Sequence, residues 1–164
     1  RPYTRSLPSD GVILHPYFLK LFKQRWYVVG YHPADKRIKT YALDRMSAVT
    51  VMPDTFEDDP TFDPEEYFKY SYGIVVSHGD VRRVVLKVDP RQAKYFNALP
   101  LHPTQHETLH DDYSLFTYRL RITDDFVEEL LSHGPRLTVL EPPELRAKMQ
   151  DELGQALKAY ETPV

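Results

Sequence analysis

Runs of hydrophobic residues in the first third of the chain, separated by short polar segments, predict β-strands. The run from Arg25 to Tyr31 joins aromatic and β-branched residues without interruption, a composition that favours a half-buried strand. His32 to Lys36 contains a proline and turn-forming residues, and a second strand is predicted from Ile38 to Leu43. The pattern therefore predicts a hairpin around residues 32–36.

Two further strands are predicted beside this hairpin. One runs from Val12 to Leu19, where Pro16 restricts it to a sheet edge or a bend, and the other runs from Ala48 to Met52. Four short strands joined by tight turns need a sheet that is closed or covered on one face. A small Sm-like or SH3-like β-barrel over residues 1–55 meets that need.

A different pattern begins after an acidic linker, residues 56–81. Within the linker, Asp63-Pro64-Glu65-Glu66 combines a capping side chain, a proline in the first turn and an acid three residues after the cap, which predicts a short helix. Strands and helices then alternate over residues 82–164 in the order βαββαβ, followed by a terminal helix. This order predicts the ferredoxin-like arrangement, in which two helices cover one face of an antiparallel sheet. The expected fold class is α+β, with two domains.

The elements of the second domain follow from capping residues and periodicity. Strands are predicted at residues 83–88, 101–110, 113–122 and 136–140. Asp89-Pro90-Arg91-Gln92 begins a helix that runs to about Ala98, a second helix begins at Thr123 or Asp124 and ends at Gly134-Pro135, and the last begins at Pro142-Pro143. The last helix has an apolar stripe formed by Leu145, Met149, Leu153, Leu157 and Tyr160.

The amino-acid composition indicates the cellular compartment of the protein and the chemistry of its ligand. The 164 residues are 41% hydrophobic and include no cysteine, which is compatible with the cytoplasm. No apolar run approaches the roughly 20 residues of a membrane span, so no membrane partner is expected. The net charge is −3, yet residues 12–52 hold seven basic side chains against two acids, and residues 54–66 hold seven acids and no base. Basic charge beside aromatic rings fits an anionic ligand or a single-stranded nucleic acid.

Two short motifs on the central hairpin are similar to those of a known family. Trp26-Tyr27-Val28 is followed by Leu43-Asp44-Arg45-Met46, and His15-Pro16-Tyr17 lies upstream of both. In order and spacing they resemble the WYL domain of bacterial transcription regulators, and residues 83–160 are similar to its C-terminal extension. The resemblance implies an Sm-like barrel that senses a ligand or nucleic acid and controls a DNA-binding helix-turn-helix. We expect that helix-turn-helix, and the first barrel strand, upstream of Arg1.

The candidate ligand-binding residues are those where basic and aromatic side chains coincide. Arg45 is the first candidate, because a guanidinium binds phosphate through forked hydrogen bonds and stacks on planar rings. A local ion pair with Asp44 is its alternative role. Ala42 stands where many relatives have arginine, which makes the basic cluster thinner than usual. The site is predicted on the barrel face that carries Tyr27, Lys39 and Arg45, and the complete set of candidates is Arg45, Tyr27, Lys39, Arg37, His15 and Trp26.

His106-Glu107-Thr108-Leu109-His110 matches the HExxH signature of zinc peptidases letter for letter. That chemistry needs a helix, which places both histidines on one face. The segment is predicted to be a strand, in which residues four apart are separated by roughly 13 Å. We therefore predict no metal, no cofactor and no catalysis.

Three functions stay open at this point. The first is an effector-sensing and dimerising module of a transcription regulator, with a nucleotide, a single-stranded nucleic acid or another anion as effector. The main alternative is a zinc-dependent hydrolase that uses His106, Glu107 and His110, with a helical His102/His106/His110 face as its best feature. The third is a purely structural homodimerisation module.

Overall fold

The computed structural model describes residues 11–57 and 59–161. The chain divides into two compact units, Arg1–Phe62 and Asp63–Val164. Each unit has its own antiparallel sheet, with three strands in the first and four in the second. Together with the α-helices of the second unit, these sheets make the protein α+β, as predicted.

The first unit consists of two consecutive hairpins. Its strands are β1 (His15–Phe22), β2 (Arg25–His32) and β3 (Arg37–Ala42), and they pair in that order. Lys23 and Gln24 form a two-residue turn between β1 and β2, with φ angles of 46° and 61°. Positive φ at both residues gives a turn whose twist matches that of the flanking strands. The hairpin predicted around residues 32–36 is confirmed.

Two predictions for the first unit are wrong. Residues 48–52 form no strand, and Val49 and Val51 are 71% and 93% exposed. A 3₁₀ turn at Leu43–Arg45 leads the chain away from β3, and Ala48 has a φ of 51°, which lies outside the extended region. Within the described residues the three strands therefore form an open sheet, and not the closed Sm-like or SH3-like barrel that four strands would allow.

β1 bends at the proline, as the sequence predicts. The pairing of β1 with β2 shifts register between Pro16 and Phe18, which places a bulge there. Gly30 pairs with Pro16, and a Cβ atom on Gly30 would lie 2.2 Å from the carbonyl oxygen of His15. The absence of a side chain at Gly30 thus allows the two backbones to approach closely at the bulge.

Aromatic rings provide much of the packing in the first unit. Val29, in the centre of β2, is fully buried. The ring of Phe62 lies 5.1 Å from that of Tyr17 and 6.3 Å from that of Phe18. The segment that follows β3 therefore returns to pack against β1.

The second unit begins with a short helix, α1 (Pro64–Phe68), which Asp63 caps by accepting a hydrogen bond from the N–H of Glu65. The following elements are β4 (Arg82–Val88), α2 (Pro90–Ala98), β5 (His106–Leu109), β6 (Ser114–Leu120), α3 (Asp124–Ser132), β7 (Leu137–Glu141) and α4 (Pro143–Glu161). The strands lie in the order β5-β6-β4-β7, and all neighbours are antiparallel. The predicted succession of strands and helices is confirmed.

β5 is shorter than the strand predicted at residues 101–110. The hydroxyl of Thr104 donates to the carbonyl of Arg119 and accepts from its N–H, and the amide of Gln105 donates to the carbonyl of Phe96. Side chains thus make the hydrogen bonds that a longer strand would make with its backbone. Residues 101–105 form turns as a result.

The core of the second unit lies between one face of the sheet and the three longer helices. Its buried side chains include Val84, Leu86, Val88, Phe96, Phe116, Tyr118, Leu120, Phe126, Leu130, Leu145 and Met149. The predicted stripe on α4 continues beyond this core. Leu153, Leu157 and Tyr160, its C-terminal members, are 49%, 60% and 92% exposed.

Candidate ligand-binding site

The register of the first sheet determines which candidate side chains share a face. Tyr27 pairs with Lys20 on β1 and with Ala42 on β3, whereas Trp26 pairs with Leu21. Successive side chains of a strand point to opposite faces, so Trp26 and Tyr27 face opposite sides of the sheet. Trp26 is 50% exposed and Tyr27 is partly buried, which agrees with their positions on opposite faces.

Arg45 lies at the same end of the sheet as Tyr27. It ends the 3₁₀ turn that directly follows β3, and the last residue of β3 pairs with Tyr27. Asp44, in the middle of this turn, accepts from Arg25 Nε at 3.1 Å. This ion pair fixes the turn to the start of β2, while Arg45 is exposed. Asp44, the expected alternative partner of Arg45, is therefore engaged by Arg25.

Lys39 and Arg37 belong to an ion-pair cluster at the other end of β3. Asp35, in the turn before β3, contacts the Nζ atom of Lys39 and lies 3.6 Å from Nη2 of Arg37. The hydrogen bond from Lys39 lowers the pKa of Asp35. Asp35 thus stays ionised and offsets part of the positive charge at this end of the sheet.

His15 is part of an aromatic cluster. Its ring stacks on Phe56 with centroids 4.6 Å apart and planes 11° apart, and it lies 5.9 Å from the ring of Tyr31. The imidazole is partly buried in this cluster. These ring contacts hold His15 within the cluster.

The six candidates are divided between two halves of the sheet. One half holds Trp26, Tyr27 and Arg45, and the other holds His15, Arg37 and Lys39. Lys39 pairs with Gly30, which is three positions from Tyr27 on β2, so Tyr27 and Lys39 lie on opposite faces. The prediction that they share a face is wrong, while a ligand role for each candidate stays a prediction.

Two basic residues that the sequence analysis did not select lie in the first half of the sheet. Lys20 is directly opposite Tyr27 and on its face, and burial lowers the pKa of Lys20. Arg25 holds the turn before Arg45 through its ion pair with Asp44. The length of the turn after β1 sets the register between β1 and β2. A two-residue turn at Lys23 and Gln24 places Lys20 opposite Tyr27, so this turn is the sequence signal that identifies Lys20.

The HExxH segment is a strand, as predicted. His106 begins β5 and His110 follows its last residue, so the two side chains are roughly 13 Å apart along an extended chain. Glu107 accepts hydrogen bonds from Ser114 Oγ and from Asn97 Nδ2. The segment therefore lacks the helical geometry that the zinc-hydrolase alternative requires.

No three histidine, aspartate or glutamate side chains within residues 11–57 and 59–161 are grouped so that they could hold a metal ion. In the same part of the chain, no helix has both the length and the apolar character to cross a membrane.

Two protein-family models match the chain, and together they cover most of it. The WYL domain matches residues 3–51, and the WCX domain matches residues 80–157. The first match includes β1 to β3 and the turn with Arg45, and the second includes the whole four-stranded sheet. This succession of domains defines a regulatory module of transcription regulators. The chain belongs to the WYL-domain family, as its two motifs predict.

One similar solved structure is that of proteasome accessory factor B/C (PafBC) of Arthrobacter aurescens. The sequence identity is 21% and the TM-score is 0.44. The match covers 92% of this chain and 23% of that chain, so this chain spans less than a quarter of the length of that protein. Comparison with curated proteins finds no match.

Proposed function

We propose that this chain is the effector-sensing module of a bacterial transcription regulator, which acts in the cytoplasm and performs no catalysis. The observation that carries the proposal is the match to a WYL domain followed by a WCX domain. The basic and aromatic side chains of the first sheet indicate the chemistry of the effector. We propose a nucleotide, a single-stranded nucleic acid or another anion.

The half of the sheet with Trp26 suits such an effector best. The exposed guanidinium of Arg45 can donate forked hydrogen bonds to a phosphate. The half-exposed indole of Trp26 offers a surface on which a base can stack, while Tyr27 and the cationic Lys20 lie together on the opposite face of the sheet. Secondary contacts are proposed for the remaining candidates, Lys39, Arg37 and His15.

We also propose a finer architecture for the two units. The N-terminal domain is proposed to cover residues 1–55 and the linker residues 56–81, and residues 82–164 are assigned to the ferredoxin-like folds. The strand order β5-β6-β4-β7, with helices on one face, supports the last assignment. The two matched ranges, 3–51 and 80–157, support the domain limits.

DNA binding is assigned to a helix-turn-helix upstream of the WYL domain. In this scheme the effector binds the WYL domain and changes the population of the DNA-binding state. Such a change requires that the effector bind the two states with different affinities. The WYL domain would supply this difference in affinity.

Arg45→Ala tests the proposed ligand site. A fluorescein-labelled single-stranded oligonucleotide is titrated with protein at several salt concentrations, and binding is followed by anisotropy. Because one phosphate contact is lost, we expect weaker binding and a logarithmic salt dependence shallower by about 0.7. Lys36→Asn is the matched control, since it removes one positive charge from the turn at the other end of the sheet.

A thermal melt followed by circular dichroism establishes that both variants fold. Unchanged affinity and slope in the folded Arg45→Ala protein would contradict the proposal. An equal loss in the Lys36→Asn protein would also contradict it, because the binding would then depend on overall charge and not on Arg45.

Homodimerisation is a second proposed function, and the exposed end of the α4 stripe favours it. Leu153 and Leu157 lie on one face of α4 beyond the core, with more than two fifths of each side chain exposed. We propose that a second copy of the chain covers this stripe. Sedimentation velocity should show a dimer for the natural protein and a monomer for the Leu153→Glu/Leu157→Glu variant. Gln155→Glu, which adds charge on the other side of the helix, should leave the dimer intact, and a monomeric natural protein would refute the proposal.

A further inference from the structure

A cleft of about 520 Å³ opens at the first turn of α2. It is lined by Arg91, Gln92, Tyr95 and Arg136. Clefts of roughly 300–1,000 Å³ are typical of sites for small molecules. The cleft lies in the second unit, whereas the proposed effector site lies in the first.

The fold brings the four lining residues together in two ways. Arg91 and Tyr95 are four residues apart on α2, so their side chains lie on the same side of the helix, and Gln92 is in the first turn. Arg136 comes from the segment before β7. The pairing of β4 with β7, and a hydrogen bond of 3.0 Å from the N–H of Asp89 to the carbonyl of Arg136, hold that segment against the start of α2.

Arg91 and Arg136 bring two positive charges to this cleft. Arg25, Arg82 and Arg83 each form an ion pair with a carboxylate. Arg91 and Arg136 have no carboxylate partner among residues 11–57 and 59–161, and no acidic side chain lines the cleft. Guanidinium groups in this situation suit a phosphate, which they can bind through forked hydrogen bonds.

The remaining two side chains suit a ring with polar edges. Tyr95 is 65% exposed, and a tyrosine ring that is open to solvent offers a stacking surface for a nucleobase. Gln92 is 8% exposed, and its side-chain amide has no hydrogen-bond partner among the described residues. A carboxamide has two donors and one acceptor, so it can recognise the polar edge of a base.

We propose that this cleft binds a nucleoside phosphate. The phosphate lies between Arg91 and Arg136, and the base stacks on Tyr95 within reach of Gln92. The proposal is independent of the effector site on the first sheet, because none of its residues belongs to that sheet. A free nucleotide and the phosphorylated end of a nucleic acid strand offer the same chemistry to the cleft.

Isothermal titration calorimetry with ADP, pyrophosphate, adenosine and a 5′-phosphorylated dinucleotide tests the proposal on the whole chain. ADP should bind more tightly than pyrophosphate or adenosine, since only ADP occupies both halves of the cleft. Arg91→Ala and Arg136→Ala should each weaken ADP binding by about 10- to 100-fold. Tyr95→Ala should weaken it by about tenfold, and Tyr95→Phe should restore it.

Lys94→Ala is the matched control on the same helix, because Lys94 is exposed and outside the cleft. It should leave ADP binding unchanged. Loss of ADP binding in Arg91→Ala and Arg136→Ala separates this site from the effector site, because neither residue belongs to the first sheet. Absence of ADP binding, equal affinity for pyrophosphate and ADP, or an equal loss in Lys94→Ala would overturn the proposal. Tighter binding of the dinucleotide would support it with a strand end as the ligand, and tighter binding of ADP would support it with a free nucleotide.

Discussion

Replacing Gly30 with alanine should destabilise the first unit far more than one methyl group normally does. The new Cβ atom would lie 2.2 Å from the carbonyl oxygen of His15 and 2.9 Å from Cα of Pro16. Ordinary van der Waals contact begins near 3.4 Å, so the carbonyl oxygen has to move by about 1.2 Å. Both neighbours are backbone atoms, which cannot move as a flexible side chain can.

The Gly30→Ala substitution destabilises the first unit through two effects. Overpacking in a filled site costs about 1–3 kcal/mol, and a strand displaced by about 1 Å loses a neighbouring hydrogen bond worth about 1 kcal/mol. We therefore expect Gly30→Ala to lower the free energy of unfolding of the first unit by about 2–4 kcal/mol. The first unit contains the single tryptophan of the chain, Trp26, so its fluorescence during urea unfolding reports on this unit.

Gly154→Ala provides the matched control. Gly154 lies within α4, and a Cβ atom there meets nothing within 4 Å. The same substitution should raise helix stability by about 0.5–1 kcal/mol, because alanine favours the helix more than glycine does. If the fluorescence midpoint of Gly30→Ala equals that of the natural protein, the close approach at the bulge does not determine stability and the reasoning is refuted.

Two further predictions concern the polar groups inside the second unit. Gln105→Ala should destabilise this unit by about 1–3 kcal/mol, because it leaves the buried hydroxyl of Tyr118 without its acceptor. Urea unfolding followed by circular dichroism measures this loss of stability. In a Tyr118→Phe background the same substitution should cost less, since no hydroxyl is left without a partner. Burial lowers the pKa of His102, so as the pH falls below about 6.5 the unfolded chain binds a proton before the folded chain does. The stability that neutral His102 contributes is thus present above that pH and lost as the pH falls through the folded pKa. Urea midpoints at pH 8 and pH 5 should differ less in His102→Gln than in the natural protein, and an equal difference would refute this role.

Local signals predicted most elements because the physics behind them is local. Asp89-Pro90-Arg91-Gln92 predicts the start of α2, and Asp89 indeed accepts a hydrogen bond of 2.7 Å from the N–H of Gln92. Residues 48–52 have the composition of a strand, but a strand also needs a partner, and the turn after β3 leads them away from one. Composition alone does not contain that information.

The candidate site was harder to predict because it depends on register. The arginine, tyrosine and tryptophan of the motifs are visible in the sequence, but their faces depend on which residues pair across each turn. Tyr27 pairs with Ala42, so residues with even numbers on β3 share its face and Lys39 does not. If the turn between β2 and β3 were one residue longer or shorter, Lys39 would lie on the face of Tyr27. The ion pair of Asp44 with Arg25 is likewise set by where the turn places the carboxylate.

The central position of β4 has a consequence for how the chain folds during synthesis. The strands of the first unit pair with their neighbours in sequence through short turns, so that sheet can form soon after its residues leave the ribosome. β4 pairs with β6 and β7, and β7 begins 49 residues after Val88, the end of β4. Until Leu137 has been synthesised, β4 therefore retains an unpaired edge. The nascent second unit has to remain unassembled longer than the first, although its first strand is made early.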